Sequence, residues 1–185
     1  MGPHHLASPS NDGPSVKETL DWLKEKIPLG IINHVESWEK LAVPPFSASV
    51  SEHAVVISLD SCTCVLDTVS TFTILRRPQV STPPSIDRFT AHLGTLQRVY
   101  VAHVENSDHG DLHTIYVDGE RWAYSVYLES KSKDITRETI GHNEFELPNE
   151  AMSFFHLKFS DESMANRVAE AFRHAVVLCQ KQEAF

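Results

Sequence analysis

The chain has 185 residues, 41% of them apolar and 22% charged, with 16 Lys and Arg against 25 Asp and Glu for a net charge of −9. That length and apolar share suit one folded unit with a sizeable core and exclude a chain that is disordered throughout. The acidic balance argues against a general nucleic-acid or anionic-membrane binder, because such proteins carry a basic footprint, while leaving room for a small local site.

Residues 1–14 are Pro, Gly, Ser and His with almost no apolar content, and read as a flexible lead. His4 and His5 are only a pair, too few for a metal site. A helix is predicted over 15–27, opened by the Ser15-x-x-Glu18 capping box. Val16, Leu20, Leu23 and Ile27 form its apolar stripe, Trp22 widens it, and Pro28 is expected to end it. In 28–52, Ile31, Ile32, Val35, Trp38 and Leu41 allow another helical piece before Pro44-Pro45 breaks the chain.

From His53 the period becomes two. Val55, Ile57 and Leu59 are expected to share a face; Cys62, Cys64 and Leu66 share one with the parity shifted, which requires a bulge or tight turn at Asp60-Ser61. Phe72 and Ile74 end this block, and 78–86 is a proline-rich loop. Phe89, Ala91 and Leu93 then alternate, and Leu96 to Val104 is a long β-branched and aromatic run. Asp108-His109-Gly110 reads as a turn, Leu112 to Val117 as a strand, and Asp118-Gly119 as a hairpin turn.

The strand after that turn points Trp122, Tyr124, Val126 and Leu128 one way and Ala123, Ser125, Tyr127 and Glu129 the other. Residues 129–139 are charged enough to be a solvated turn or edge; Ile135 to Leu147 reads as a weak strand or loop. Phe155, Leu157 and Phe159 mark a last strand. A helix is predicted over 161–182, N-capped by Ser160 or Asp161, with Met164, Val168, Phe172, Ala175 and Cys179 along one face. At about 20 residues it is roughly 30 Å long.

The resulting class is α+β: an antiparallel β-barrel or strongly bent sheet of about seven strands over 46–159, between an N-terminal helix and a long C-terminal capping helix, in one unit over 15–185. Over roughly 46–182 this order resembles the pleckstrin-homology-like superfold, in which a helix plugs one end of a seven-strand barrel. It also resembles the helix-grip fold of the START and Bet v 1 type, in which a sheet wraps a long helix around a ligand cavity. Lipid-binding members of the first superfold carry basic residues on the first hairpin; here 53–77 holds only Arg76-Arg77, so phosphoinositide binding is not implied. The resemblance leaves recognition of a protein or peptide partner.

Candidate chemistry is sparse. Cys62-x-Cys64 could give zinc two ligands, completed by His53 or His92, but both read more simply as small buried residues, as does Cys179. His109 and His113, with Asp108 and Asp111, form the densest histidine cluster and read as a solvated turn rather than a metal site. Glu144 and Glu146 share a face as solvated acids do, and Lys131, Lys133 and Arg137, interleaved with acids, read as exposed edge protection. Trp122, Tyr124 and Tyr127 could line a groove, although Trp122 and Tyr124 alternate as core residues should. No nucleophile elbow, phosphate loop or His-Glu-x-x-His occurs.

The expectation is therefore a non-enzymatic, adaptor-like protein- or peptide-interaction module with no catalytic, cofactor or metal residues. The alternatives are a small-molecule or lipid binder with a helix-grip cavity, and a hydrolase or metal-dependent enzyme. Three cysteines, no apolar run of membrane length, no leader pattern in 1–15 and no Asn-x-Ser/Thr point to the cytoplasm and away from a disulfide framework.

Overall fold

A computed structural model describes residues 13–30, 34–40, 46–74, 80–105, 114–118, 122–140 and 150–183. The chain is α+β, with two helices and two antiparallel sheets. The elements are α1 (Val16–Gly30), β1 (His34–Lys40), β2 (Phe46–Asp60), β3 (Thr63–Ile74), β4 (Val80–Ser81), β5 (Ser85–His92), β6 (Leu96–Glu105), β7 (Thr114–Asp118), β8 (Trp122–Ser130), β9 (Ile135–Ile140), β10 (Glu150–Met152), β11 (Phe154–Phe159) and α2 (Glu162–Glu183). Residues 1–12, Arg76-Arg77, the Asp108–His113 cluster and Glu144/Glu146 lie outside the described residues.

The larger sheet runs β10-β9-β5-β3-β2-β1-β7, with β4 beside β3, and the smaller runs β11-β8-β6. Three neighbouring strands of the first pass into the second through short breaks: β5 into β6 at Leu93–Thr95, β8 into β9 at 131–134, and β10 into β11 at Ser153. The corner is tied where Ser130 N–H donates to Ser153 O at 2.7 Å and Ser130 Oγ donates to Asp134 at 3.0 Å. In place of one barrel or bent sheet of about seven strands, the described residues form eleven strands in two sheets that meet at this corner, and these do not close into a barrel.

The capping box forms as the spacing predicts. Ser15 N–H and Oγ both donate to Glu18, at 2.8 and 2.7 Å, and Ser15 Oγ accepts from Glu18 N–H at 3.3 Å. These bonds, the backbone one first, hold the Glu18 carboxyl below the usual glutamate range. A depressed folded-state value adds stability above the unfolded glutamate value, and that stability is lost as pH falls through the folded one. In an NMR titration Glu18 should therefore protonate at lower pH than a free glutamate, and Ser15→Ala, which removes the hydroxyl bond and keeps the backbone one, should move its midpoint part of the way back up; a parent midpoint equal to that of a free glutamate would mean that the box does not form in solution.

Pro28 does not end α1, which continues to Gly30. Proline fits a helical φ; its cost is one lost bond near the helix end, set against the complete burial of Ile27 one residue earlier. The helical piece allowed around Val35 and Trp38 is instead β1, paired with β2 from His34↔Glu52 to Lys40↔Phe46 and with β7. Seven residues make a helix too short to stand alone, whereas as a strand they gain ladder bonds from two neighbours.

The parity shift in β2 occurs earlier than expected. The β2/β3 register breaks between Val56 and Ser58, so Ile57 is an extra residue. Val55 and Ile57, 40% and 46% exposed, therefore face outward, while Leu59 is buried with Leu66 and Cys64. The hairpin turn is Ser61-Cys62, closed by Asp60↔Thr63, with positive φ of 46° and 63°. Cys62 thus sits in the turn and does not share a strand face with Cys64. A left-handed backbone costs a residue with a Cβ roughly 1–2 kcal/mol, so this turn must be held from outside.

Residues 131–134 are exposed as expected, but β9 lies between β5 and β10 instead of at an edge. Arg137 is accordingly not edge protection: it faces Asp87 at 3.3 Å and Glu150 at 3.6 Å. On the outer side of the larger sheet Arg88 meets Asp67 in a fork, Nε at 2.7 Å and Nη2 at 2.9 Å, which satisfies a buried carboxylate.

Asp161 caps α2 by accepting from Met164 N–H at 2.7 Å. Ala165, Val168, Ala169, Phe172, Ala175 and Val176 of α2 are buried in one core with Val126, Leu128, Phe155, Leu157 and Phe159 of the smaller sheet and Leu20, Leu23 and Ile27 of α1. Along the rim, Arg173 Nε donates to Val99 O at 2.9 Å and Gln180 Nε2 to Leu96 O at 3.3 Å. These side chains, two helical turns apart, occupy carbonyls of the edge strand β6 and protect it from foreign pairing.

Candidate functional site

Two features stand out, one on each side of the core. The first is the face of the smaller sheet turned away from α2. Strand alternation puts Val99 and Val101 opposite Leu128 and Val126 on the core side, and Arg98 and Tyr100 opposite Glu129 and Tyr127 on the outer side. On β11 the same alternation buries Phe155, Leu157 and Phe159 and turns Phe154 and His156 outward.

The outward rings touch across all three strands. Tyr100 stacks on Tyr127 with centroids 5.1 Å apart, and Tyr127 also meets His156 at 5.2 Å and Phe154 at 5.9 Å. Arg98 lies 4.8 Å from the Tyr100 ring centroid and 3.6 Å from Glu129. Tyr100 O–H donates to Glu129 at 2.8 Å, and this bond raises its pKa above the ordinary phenol value. Phe154, 41% exposed, ends the row. The face is thus an aromatic platform with Arg98 and Glu129 at one margin and Lys158 on β11 at the other.

The platform divides the aromatic set named from sequence. Tyr127 belongs to it. Tyr124 faces the core side, half-buried and stacked on His103 at 5.0 Å, and the Trp122 side chain lies outside the described residues. Tyr100, Phe154 and His156 were missed as partners of Tyr127. Their alternation was readable, but only cross-strand register places them beside it.

The second feature is a cleft of about 680 Å³ between α1, the β2–β3 turn and the end of α2. Leu20 and Leu59 give it apolar floor; Lys17, Asp21 and Lys24 form the α1 wall; and Asp60, Ser61, His92 and Gln182 form the opposite rim. Cys62 and Cys179 also line it, and they are joined as a disulfide with Cα atoms 5.7 Å apart and a sequence separation of 117. This corrects the reading of Cys62 and Cys179 as separate core thiols: the left-handed turn carries Cys62 off the strand and against the last turns of α2. Cys64 is the free, fully buried cysteine, its thiol pushed up to about 12 by burial.

The zinc set does not assemble. Cys62 is bonded to Cys179, His53 is exposed and Cys64 is buried; among the described residues no group of three or more His, Cys, Asp and Glu could hold a metal. No helix among them is long and apolar enough to cross a membrane. The chain matches no family model, no curated protein and no solved structure.

Proposed function

We propose that this chain is a non-enzymatic protein- or peptide-interaction module, adaptor-like, on a pleckstrin-homology-like layout. The corner shared by the two sheets, with α2 seated on the smaller one, supports that layout. One observation carries the function: a contiguous row of Tyr100, Tyr127, His156 and Phe154 stands on the sheet face that α2 does not cover. Tyr, Phe and Arg are the residue types enriched in protein interfaces, and aromatic anchors carry much of the binding energy there. Arg98 is paired with Glu129 at the margin, so the row itself favours a partner segment with an aromatic or aliphatic anchor.

A displayed random-peptide library tests this directly. Peptides enriched on the chain should share an aromatic or aliphatic anchor, and Phe154→Ala should weaken them about 30-fold, the scale of an interface hot spot. Phe154 is exposed, so its truncation leaves the core intact. Enriched peptides that bind Phe154→Ala and Tyr127→Ala as well as the parent would overturn the reading, as would a library with no enrichment.

The cleft favours a second reading, a small-ligand site, since its volume falls within the range of such sites. It opens between α1, the hairpin turn and the end of α2, not between sheet and α2 as in a helix grip. The proposed compartment is the cytoplasm. Cytoplasmic thiols stay reduced unless a bond is redox-responsive, so in that compartment the Cys62–Cys179 bond forms and breaks with redox state.

A further inference from the structure

We propose that Cys62–Cys179 is a reversible redox clasp that holds the β2–β3 turn against the end of α2 and so keeps the cleft in shape. Three observations converge on the same residues. The bond joins a hairpin turn to a helix end, two places where a chain opens without disturbing its centre. The turn it holds has two side-chain-bearing residues in the left-handed region, so it is poised to relax once released. Both cysteines line the cleft but are buried, Cys62 5% and Cys179 0% exposed, so a small reductant reaches the bond as this rim opens.

The turn is also tied where Leu93 N–H donates to Cys62 O at 2.7 Å, joining it to the start of the Leu93–Thr95 corner, and by its own Asp60↔Thr63 pairing. The centre of the fold does not depend on the bond. Val126, Leu128, Phe155, Leu157 and Phe159 pack on α2 through Val168, Ala169 and Phe172, well before Cys179 in the helix. Release therefore loosens the final turn of α2, with Gln182, and the Asp60–Cys62 rim, while Gln180 stays on Leu96 O and the sheet beneath stays covered.

The chemistry balances as thiol–disulfide exchange. A dithiol reductant attacks one sulfur, its second thiolate displaces the mixed disulfide, and it leaves oxidised as Cys62 and Cys179 become two thiols. A disulfide oxidant of the glutathione class reverses the step. Cys64 takes no part, because its fully buried thiol stays protonated at neutral pH and is a poor nucleophile.

Hydrogen exchange read by mass spectrometry, on the same purified chain before and after a phosphine reductant, tests the clasp; the phosphine takes up oxygen from water as the disulfide becomes two thiols. Exchange should rise at least tenfold more in peptides covering 59–64 and 177–183 than in β8 and β11, where only the loss of global stability shows, and return on reoxidation with oxidised glutathione. Cys64→Ser should behave identically. An equal rise in every segment would make the bond a general staple, and no change anywhere would make it incidental; either result overturns the proposal. The outcome is independent of the aromatic platform, which lies outside both reporting segments.

Discussion

Loss of the Cys62–Cys179 bond should lower stability by about 4 kcal/mol, the scale for a cross-link that closes a loop of roughly a hundred residues. For a chain of this size that corresponds to a fall in melting temperature of roughly 8–16 °C. The main source is the unfolded state, which regains the freedom of the segment between residues 62 and 179. Calorimetry with and without reductant measures it, and Cys62→Ser with Cys179→Ser should reproduce the reduced value. Cys64→Ser, which removes only the free thiol, should respond to reductant as the parent does. With total stabilities of about 5–15 kcal/mol typical, the reduced chain stays folded at room temperature, so local opening can be read against a folded background. An unchanged melting temperature would show that the bond does not form in solution.

Truncating Phe172 to alanine should cost about 3–5 kcal/mol, because the removed ring leaves both a transfer loss and a cavity. Phe172 is fully buried at the centre of α2, among residues of both helices and the smaller sheet. Five positions later on the same helix, Val177 is 48% exposed, and Val177→Ala should fall within about 0.5 kcal/mol of the parent. Urea melts of the two variants therefore test how α2 is seated. Equal effects would mean that the helix does not rest on the sheet with the face containing Val168, Phe172 and Ala175. The comparison needs no knowledge of the partner and stands apart from the proposed function.

Helical features were readable because their causes are local. The Ser15–Glu18 box and the Asp161 cap are satisfied within three residues, and the α2 stripe needs only helical spacing. The alternation from Tyr124 to Leu128 and from Phe155 to Phe159 was readable for the same reason. Pro28 was over-weighted: a proline near the end of a helix loses one bond, and burial of Ile27 offsets it. His34–Lys40 was misread because its conformation is decided by β2 and β7 on either side, not by its own residues.

The candidate sites divide in the same way. That Tyr127 points away from Val126 and Leu128 is local information. That Tyr100 and Phe154 arrive beside it depends on register between strands separated by long stretches of chain. The extra residue at Ile57, which turns Val55 and Ile57 outward, also shows only once β3 is paired alongside. The disulfide left no mark in spacing, since Cys62 and Cys64 look like a strand pair until the turn is seen at Ser61-Cys62.

Read alone, the amino-acid order determined the two helices, their caps and buried faces, the β-rich middle and its antiparallel α+β class. Each depends on contacts a few residues apart, where periodicity carries the information. Tertiary structure alone decided the two-sheet corner, the aromatic row and the union of Cys62 with Cys179. Those depend on which distant backbones pair and in what register, and that choice is made by the packing energy of the whole chain, not by any one segment.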